Sequence, residues 1–367
     1  MKKIFIIFAF FLLTLGVFAD EPKILPSVTG VVKSIEYENP DNDLSQAKQI
    51  VQIKLLEGEN RGDVVVTENL ITGNPYYDIN LKNGTRVIMH VEDNGMGAEY
   101  SVQDIKRSGT LVWLSLIFCG LLVYVGKKKG LYSLVSIGLT VLMITNFLSP
   151  MILFGINPVF ATVIICVLST AVTMFLVGGF NAKSTSALVG TVLSLFFAAI
   201  LAFLTILSAS LTGFSGENSL FLFTAHPELD FVSLTISMIV IATLGAVMDV
   251  AMSISSTINE IYETDNTLCV KDLFVSGMNV GRDIIGTMAN TLILVYLGGS
   301  LPLLLLAGNI DLQKFINLNQ VVTEIASALI GSISIVICVP FTALAASGLI
   351  HKYAKLREEN YEPKFNK

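Results

Sequence analysis

Charged residues are scarce in this chain, and their scarcity indicates the class of protein. Asp, Glu, Lys and Arg make up 14% of the 367 residues, whereas hydrophobic residues make up 53%. The mean hydropathy of +0.71 lies well above the usual balance of soluble domains. The net charge of −6 also argues against nucleic acid as a partner, because nucleic acid is bound through clustered basic residues. The composition therefore predicts an integral membrane protein whose first partner is the lipid bilayer.

Side chains that support catalysis or metal binding are also few. The three histidines (His90, His226 and His351) are scattered along the chain. The sequence contains neither the H-E-x-x-H zinc motif nor the G-x-S-x-G turn that exposes a nucleophilic serine. Metal-ligand spacings and Gly-rich phosphate loops are missing as well. We therefore expect no enzymatic activity, no catalytic residues, no metal and no cofactor.

The first residues have the pattern of an export signal. Lys2 and Lys3 precede an apolar run over Ile4–Val17, which ends in small residues at Ala19. This pattern predicts a signal peptide or an uncleaved N-terminal anchor over residues 1–19. Either form would place the following segment outside the membrane.

Residues 20–108 are polar and lack cysteine, which excludes a disulfide framework for this segment. The segment accounts for the whole net charge of −6. Turn signals at Asn83-Gly84 and Asn94-Gly95 separate runs rich in Val, Ile and Tyr. The predicted strands are 28–37, 50–56, 63–67, 85–91 and 99–105. Five short strands predict a small all-β extracytoplasmic domain, with an OB-like barrel as one form and a sandwich as the alternative.

Long apolar runs fill residues 109–350 and predict a transmembrane domain of about seven helices. The predicted spans are approximately 110–126, 131–154, 158–178, 185–211, 232–258, 284–308 and 322–350. Basic residues follow the first and third spans at Lys127–Lys129 and Lys183, and they recur in the tail, residues 351–367. Since positive loops stay inside, residues 20–108 should be outside and the C-terminus in the cytoplasm.

One carboxylate stands out within these spans. Phe231–Ile258 contains a single ionisable group, Asp249, and the next charge is Glu260. If Glu260 marks the cytosolic interface, Asp249 lies roughly 16 Å inside the membrane. An ionised aspartate at that depth costs several kcal/mol, so its presence favours a role in ion, proton or substrate handling. The alternative is a protonated Asp that is hydrogen-bonded to a neighbouring helix for structural reasons.

The sixth span carries polar residues that we expect to lie near Asp249. Arg282 and Asp283 should form, with Glu260, a cytosolic mouth, while Asn290 and its neighbours lie deeper. Because the two spans run antiparallel, Asp249 should lie within hydrogen-bond reach of one of three side chains: Asn290, Thr287 or Thr291. A small residue, Gly286, would allow close helix approach. The alternative is that these polar groups only hold two helices together.

Two further features have open interpretations. The segment 259–283 is too polar to cross the membrane, and it predicts either a short helix lying on the cytosolic surface or a solvated loop. Glu324, the only acid of the last span, lies near its outer end. The favoured interpretation of Glu324 is an interfacial residue that extends its carboxylate to water, and the alternative is a functional role.

Three segments together resemble the YibE/F-like family of bacterial membrane proteins. They are GGFNAKSTSALVGT at 178–191, GAVMDVAMSISSTINE at 245–260, and GMNVGRDIIGTMANTLILVYLGGSLPLLLL, which starts at Gly277. The resemblance covers the whole membrane region. It implies a multi-pass protein of the bacterial inner (plasma) membrane but supplies no mechanism.

The G-x-x-x-D pattern of Gly245 and Asp249 is also distantly similar to the coupling helix of the RND superfamily, above all SecD and SecF. That resemblance implies that Asp249 carries protons, that Gly245 is a close-packing position, and that Asn290 and Thr291 are neighbours of the carboxylate. The RND proteins work as paired halves, which implies a second copy or a paralogous membrane partner. The outer domain of this chain, however, precedes the matching helices by two spans more than in those proteins.

The leading functional hypothesis is a proton- or ion-coupled transporter or export-assisting protein with unknown cargo. The alternative is a non-transporting membrane scaffold or receptor whose outer domain binds a ligand. An intramembrane aspartyl hydrolase is disfavoured, because it needs two carboxylates that share a site. The only partner candidate for Asp249 is Asp283, which is expected at the interface rather than at the same depth.

Overall fold

The computed structural model describes residues 27–38, 47–58, 60–93 and 98–361. The predicted signal segment 1–19 and the turn at Asn94-Gly95 lie outside these described residues. The chain divides into two compact units, one of which ends at Tyr124 while the other begins at Val125.

The first unit contains one antiparallel sheet of five strands, as the sequence predicts. The strands are β1 (Ser27–Glu38), β2 (Ala47–Leu55), β3 (Val64–Ile71), β4 (Arg86–Asp93) and β5 (Ala98–Ile105). Their order in the sheet is β3-β2-β1-β4-β5. The two edge strands, β3 and β5, also approach each other. The sheet therefore curls toward a five-stranded barrel, the OB-like arrangement expected from the strand pattern.

The alternation of buried and exposed side chains along the strands explains why this sheet has one buried face. On β2, Val51, Ile53 and Leu55 are buried, while Gln52 and Lys54 between them are exposed. Successive residues of a strand point to opposite faces, so one face of β2 supplies the core and the other meets solvent. The buried core is completed by Val32, Leu81, Val87 and Met89.

The predicted turn at Asn83-Gly84 is present. Gly84 has a φ of +84°, a conformation that glycine adopts without steric cost. The Thr85 N–H donates to the Lys82 carbonyl oxygen at 3.0 Å, which closes the turn before β4.

The remainder of the chain is helical. The elements are α1 (Ser108–Met143), a π-helix (Ile144–Leu148), α2 (Ser149–Leu153), α3 (Pro158–Gly178), α4 (Ala182–Ser208), α5 (Glu217–Ala225), α6 (Phe231–Thr264), α7 (Val270–Gly299), α8 (Leu301–Leu306), a 3₁₀ turn (Ala307–Asn309), α9 (Leu312–Phe315) and α10 (Asn319–Tyr361).

Six helical segments of the described chain are long and apolar enough to cross a membrane, and the first of them is the 46-residue run Ser108–Leu153. That run covers two of the seven predicted spans. Its backbone leaves the helical region at Lys127, with φ 51° and ψ −129°. The run therefore consists of two helices joined at the predicted boundary. This agrees with a polytopic helical membrane protein.

The π-helix before α2 has a local cause. Pro150 has no N–H, so it cannot make the usual helical bond to the carbonyl four residues earlier. The preceding Ser149 N–H instead donates to the Ile144 carbonyl, five residues back. This shift gives the wider turn of a π-helix.

Helices α4, α6 and α10 form the centre of the membrane domain, and α7 packs mainly on α10. Small residues allow the helices to approach closely: a Cβ added at Gly190 of α4 would lie 2.0 Å from Thr342 Oγ1 of α10. The hydroxyls at this interface mostly bond to their own helix, as when Ser194 Oγ donates to the Gly190 carbonyl at 2.7 Å. Most polar side chains in this apolar core are thus satisfied by their own helix, and a few bond across helices, as when Ser255 Oγ of α6 donates to the Lys183 carbonyl of α4 at 2.7 Å.

The predicted surface helix around Leu273 is not a separate element, so that interpretation is wrong. The segment continues directly into the sixth span, and Val270–Gly299 is one 30-residue helix. Leu273 is fully buried against the core of α6 and α10. An apolar anchor at the start of α7 explains why the helix does not break at Arg282.

Candidate functional site

Asp249 lies on the side of α6 that faces away from the packed core. Its neighbours Val247 and Val250 are fully buried, whereas Asp249 itself is exposed. Residues three or four apart share one face of a helix. The exposed stripe that contains Asp249 consists of Ala242, Gly245, Asp249 and Ser253; we call it the α6 stripe.

Two contacts define the antiparallel register of α6 and α7. A Cβ added at Gly277 of α7 would lie 2.5 Å from Ile258 of α6. Further along, Leu292 of α7 and Thr243 of α6 both approach the position of Gly331 on α10.

In this register Asp249 lies level with Gly286 of α7. Asn290 lies one helical turn further along α7, at about 6 Å of rise, and Thr287 is the residue next to Gly286. The depth of Asp249 in the helix pair is therefore close to that of the polar residues on the sixth span.

Direct hydrogen bonds to Asp249 are nevertheless missing among the described residues, and its side chain is exposed in the single chain; a contact with Asn290, Thr287 or Thr291 through one water stays a prediction. The Thr287 hydroxyl donates to the Ile284 carbonyl at 3.0 Å, and the Thr291 hydroxyl donates to the Thr287 carbonyl at 2.9 Å. Both hydroxyls are thus satisfied by their own helix, and Asn290 is exposed. The physical reason is that Asp249 projects from the outer side of α6, opposite the packed face.

Gly245 and Gly286 do not pack against another helix within the chain. A Cβ added at either glycine would meet no atom within 4 Å. Among the described residues, neither glycine is therefore a close-packing position between two helices.

Other glycines, which sequence reasoning missed, bring the helices together. A Cβ added at Gly281 would lie 2.1 Å from Val339 of α10, and one added at Gly277 would lie 3.2 Å from Ala343. Gly277 and Gly281 form a G-x-x-x-G pattern, which is typical of close helix contacts in membranes. That spacing was the signal that could have identified them.

The residues predicted at the cytosolic mouth are all exposed: Glu260, Arg282 and Asp283. Arg282 Nη1 donates to Asn279 Oδ1 at 3.0 Å. Within the described part of the chain, Arg282 forms no ion pair with either acid. In the register of α6 and α7, Glu260 lies level with Val275 near the start of α7, whereas Arg282 lies one turn from Gly286, so the predicted grouping of the three charges at one end of the helix pair is not present.

Glu324 is half-buried near the start of α10. Its side chain forms part of a cavity wall together with Tyr296 of α7 and Ser300, the residue that follows α7. The structure thus places Glu324 against neighbouring helices, which the favoured sequence interpretation did not predict.

The outer domain has one notable polar cluster. The Thr29 hydroxyl donates to Glu57 Oε2 at 2.8 Å, and Lys106 Nζ donates to the same hydroxyl at 2.9 Å. The Thr29 hydrogen bond, assisted by the positive charge of Lys106, holds the pKa of the Glu57 carboxyl below its ordinary value. This cluster ties the end of β5 to β1, and its groups satisfy one another.

Across the part of the chain that the structure describes, no group of three or more His, Cys, Asp or Glu side chains could hold a metal ion.

The fold and the site define a multi-pass α-helical membrane protein with a small β-domain and an unpaired carboxylate on one of its spans. The model of the YibE/F-like protein family matches residues 114–352, and that of the YibE/F family N-terminal domain matches residues 24–106. The chain belongs to the YibE/F-like family. No curated protein and no solved structure matches it. A likeness to the RND superfamily rests on the sequence pattern alone.

Proposed function

We propose that this chain is a proton- or ion-coupled transporter or export-assisting membrane protein that uses Asp249 as its coupling group. The observation that carries the proposal is an exposed, unpaired carboxylate midway along a membrane-spanning helix. Such a group costs several kcal/mol when ionised in hydrocarbon. The cost is avoided when the carboxylate binds a proton or cation, or contacts a polar partner.

The surroundings of Asp249 support exchange of a bound proton or ion. Gly245 and Gly286 leave open space beside the carboxylate, so an ion or water has room to reach it. In the proposed cycle Asp249 binds a proton or ion from one side of the membrane, forms transient contacts with Asn290 and Thr287 that the described structure does not contain, and releases it to the other side. Glu260 would lie at the cytosolic entrance, and Arg282 and Asp283 would lie between this entrance and the level of Asp249. The proposal assigns the protein no covalent catalysis and no cofactor.

We further propose a second copy or a paralogous membrane protein as partner. The α6 stripe and the outward side of α7, which carries Asp283, Gly286 and Asn290, expose polar groups at membrane depth. Hydrocarbon cannot satisfy these groups, whereas a facing helix can. The small residues on both helices would allow such a helix to approach closely.

The charge pattern of the loops supports an orientation in the bacterial inner membrane with residues 20–108 outside and the C-terminus in the cytoplasm. An enzymatic reporter fused to the C-terminus should be inactive if it functions only outside the cell. Activity of that reporter would overturn the orientation.

The decisive experiment compares ion and proton flux in vesicles that contain the purified protein. Asp249→Asn should abolish coupled flux while leaving the protein folded, because Asn keeps the size and hydrogen bonding of a protonated Asp but cannot ionise. Asp63→Asn, the same change on an exposed residue of the outer domain, is the matched control and should have no effect. Full activity of the Asp249→Asn protein would reject the coupling role.

A scaffold or receptor remains a second candidate because of one surface on the outer domain. Val64, Val66 and Leu70 of β3 are all exposed, at 54%, 63% and 64%. They lie on one face of an edge strand together with the exposed Glu68, and exposed apolar side chains on such a strand favour contact with another chain. If the Asp249→Asn variant still binds a ligand, and neither the wild type nor the variant shows ion or proton flux, the scaffold or receptor function would be supported over transport.

A further inference from the structure

Strand β5 of the outer domain leads into the first membrane span with a linker of only two residues. It ends at Ile105, and helix α1 begins at Ser108; the barrel and the start of α1 belong to one compact unit. Between them, Lys106 is bonded to the barrel twice, through its N–H to the Arg86 carbonyl oxygen at 2.8 Å and through its ammonium group to the Thr29 hydroxyl at 2.9 Å. The end of the barrel from which α1 leaves is therefore held close to the start of the span.

The first turns of α1 indicate how deep this end of the barrel lies. Trp113 is the only tryptophan of the chain, it is exposed, and tryptophan is enriched at membrane–water interfaces. It lies about 8 Å beyond Ser108 at helical rise. The head-group layer on one side of a bilayer is about 5–8 Å thick. With Trp113 at the inner boundary of that layer, this end of the barrel lies at the head groups.

Strand direction determines which residues share this end. All neighbouring strands of the sheet are antiparallel, and their order is β3-β2-β1-β4-β5. Strands β1, β3 and β5 therefore run in the same direction and finish at the same end of the barrel, which we call the membrane end. The loop that follows β3 lies at the membrane end, whereas the loop between β2 and β3 lies at the opposite end.

Three exposed tyrosines lie at the membrane end. Tyr37 is next to the last residue of β1, and Tyr76 and Tyr77 are in the loop after β3; their exposed fractions are 65%, 72% and 67%. The outer domain contains one more tyrosine, Tyr100, and no phenylalanine or tryptophan. Tyr100 lies toward the opposite end, is half-buried, and accepts a hydrogen bond from Asn60 Nδ2 at 2.9 Å. The exposed tyrosines of the domain are thus all at its membrane end.

Hydrogen bonds hold these tyrosines in one arrangement. The Tyr37 hydroxyl accepts from Gln49 Nε2 at 3.2 Å, and Gln49 Oε1 accepts from Asn69 Nδ2 at 2.9 Å. Asn69 Nδ2 also donates to the carbonyl oxygen of Ile79 at 2.8 Å, two residues after Tyr77. Gln49 and Asn69 are both buried. The three rings therefore form one pre-arranged surface, which loses little conformational freedom when it is covered.

We propose that the membrane end of the outer domain docks on the lipid head-group layer through Tyr37, Tyr76 and Tyr77. Each tyrosine has an apolar ring and a polar hydroxyl, so it suits a layer that is apolar on one side and wet on the other. Lipid is the occupant because α1, which leaves the barrel at this end, brings the surface to the bilayer. Charges of both signs lie nearby, as in the Lys48–Glu68 pair, so the contact fits a zwitterionic head group. The inference does not depend on the coupling proposal.

The test places a single tryptophan in the full chain, in a Trp113→Phe background that is otherwise free of tryptophan. Tyr76→Trp and Tyr77→Trp report on the membrane end. Arg61→Trp, at an exposed position of the loop between β2 and β3, is the matched control at the opposite end. Each protein is reconstituted in phosphatidylcholine vesicles with and without acyl chains that are brominated close to the head groups, because bromine quenches tryptophan only at short range.

Both membrane-end variants should lose fluorescence in the brominated vesicles and emit at a shorter wavelength than tryptophan in water, whereas Arg61→Trp should show neither change. Tyr76→Trp and Tyr77→Trp probe the same surface, so either one decides if the other does not fold. Absence of quenching at the membrane end, or equal quenching in Arg61→Trp, would overturn the proposal. Protection from the aqueous quencher acrylamide without quenching by brominated lipid would identify a second copy of the chain as the cover, and would also overturn it.

Discussion

Glycines in this membrane domain serve two different purposes, and the space around each one distinguishes them. At Gly190, a Cβ would meet the backbone and side chain of Thr342 within 3 Å. At Gly286, it would meet nothing within 4 Å. The first glycine is required by packing within the chain, whereas the second leaves room on an open face.

This difference predicts opposite results for the same substitution. Gly190→Ala should lower the stability of the protein by about 1–3 kcal/mol, because the α4–α10 interface must move apart. Gly286→Ala should leave it unchanged or raise it by up to about 1 kcal/mol, since alanine favours helix over glycine. Thermal or denaturant unfolding in detergent measures both. A Gly190→Ala protein as stable as the wild type would show that the interface is less closely packed than described.

The same residue scale shows what sequence could predict about the site. The isolation of Asp249 among apolar residues, and its depth relative to α7, follow from one charge on a long apolar run. The partners of Asp249 do not follow from the sequence, because the direction in which a side chain projects depends on which neighbouring helices its own helix packs against. Here α6 turns Val247 and Val250 to the core, and Asp249 therefore projects outward.

At the scale of elements, the strands were predicted well, whereas the continuity of the long helix α7 was not predicted. The five strands alternate with period two, and their turn residues mark the ends, so each strand was predicted within a few residues. Helix α7 was divided in error at its charged turn, because Arg282 and Asp283 resemble a boundary in a hydropathy reading. The contacts of Leu273, Gly277 and Gly281 with other helices keep α7 continuous, and such contacts are not visible from hydropathy.

The outer domain should lose stability in acid. The pKa of Glu57 is lowered by the Thr29 hydrogen bond, and that of Asp104 is lowered by the Arg107 side chain. A carboxyl whose pKa is lowered by folding stabilises the fold fully above its unfolded value, 4.5 for Glu57 and 3.8 for Asp104. That contribution disappears as the pH falls through the lower folded pKa.

The measurement is thermal unfolding of a fragment of residues 20–108, whose core consists of its own side chains. Its melting temperature should be nearly constant from pH 7 to about pH 5 and fall below that. Thr29→Val, which removes the hydrogen bond to Glu57, should lower stability at neutral pH and make the decline in acid shallower. A melting temperature that rises as the pH falls below 5 would contradict the assignment of these carboxylates.

At the scale of the whole molecule, the membrane domain has two kinds of exposed surface. Helix α4 exposes apolar side chains such as Phe196 and Phe203, which suit contact with lipid. The α6 stripe instead exposes Gly245, Asp249 and Ser253. Because lipid tails offer no hydrogen bonds, the second surface is the one expected to meet another protein.

This contrast predicts where two copies of the chain would contact each other. In a background in which the four native cysteines are replaced, Ser253→Cys should form disulfide-linked dimers in native membranes under mild oxidation. Phe203→Cys, on the lipid-facing side of α4, is the matched control and should stay monomeric, because copies that meet there do so only by chance. A paralogous partner would instead give a Ser253→Cys protein that cross-links to a second polypeptide. Equal cross-linking at both positions would contradict a specific interface on the α6 stripe, and Asp249 would then need water or a bound ion rather than a facing helix.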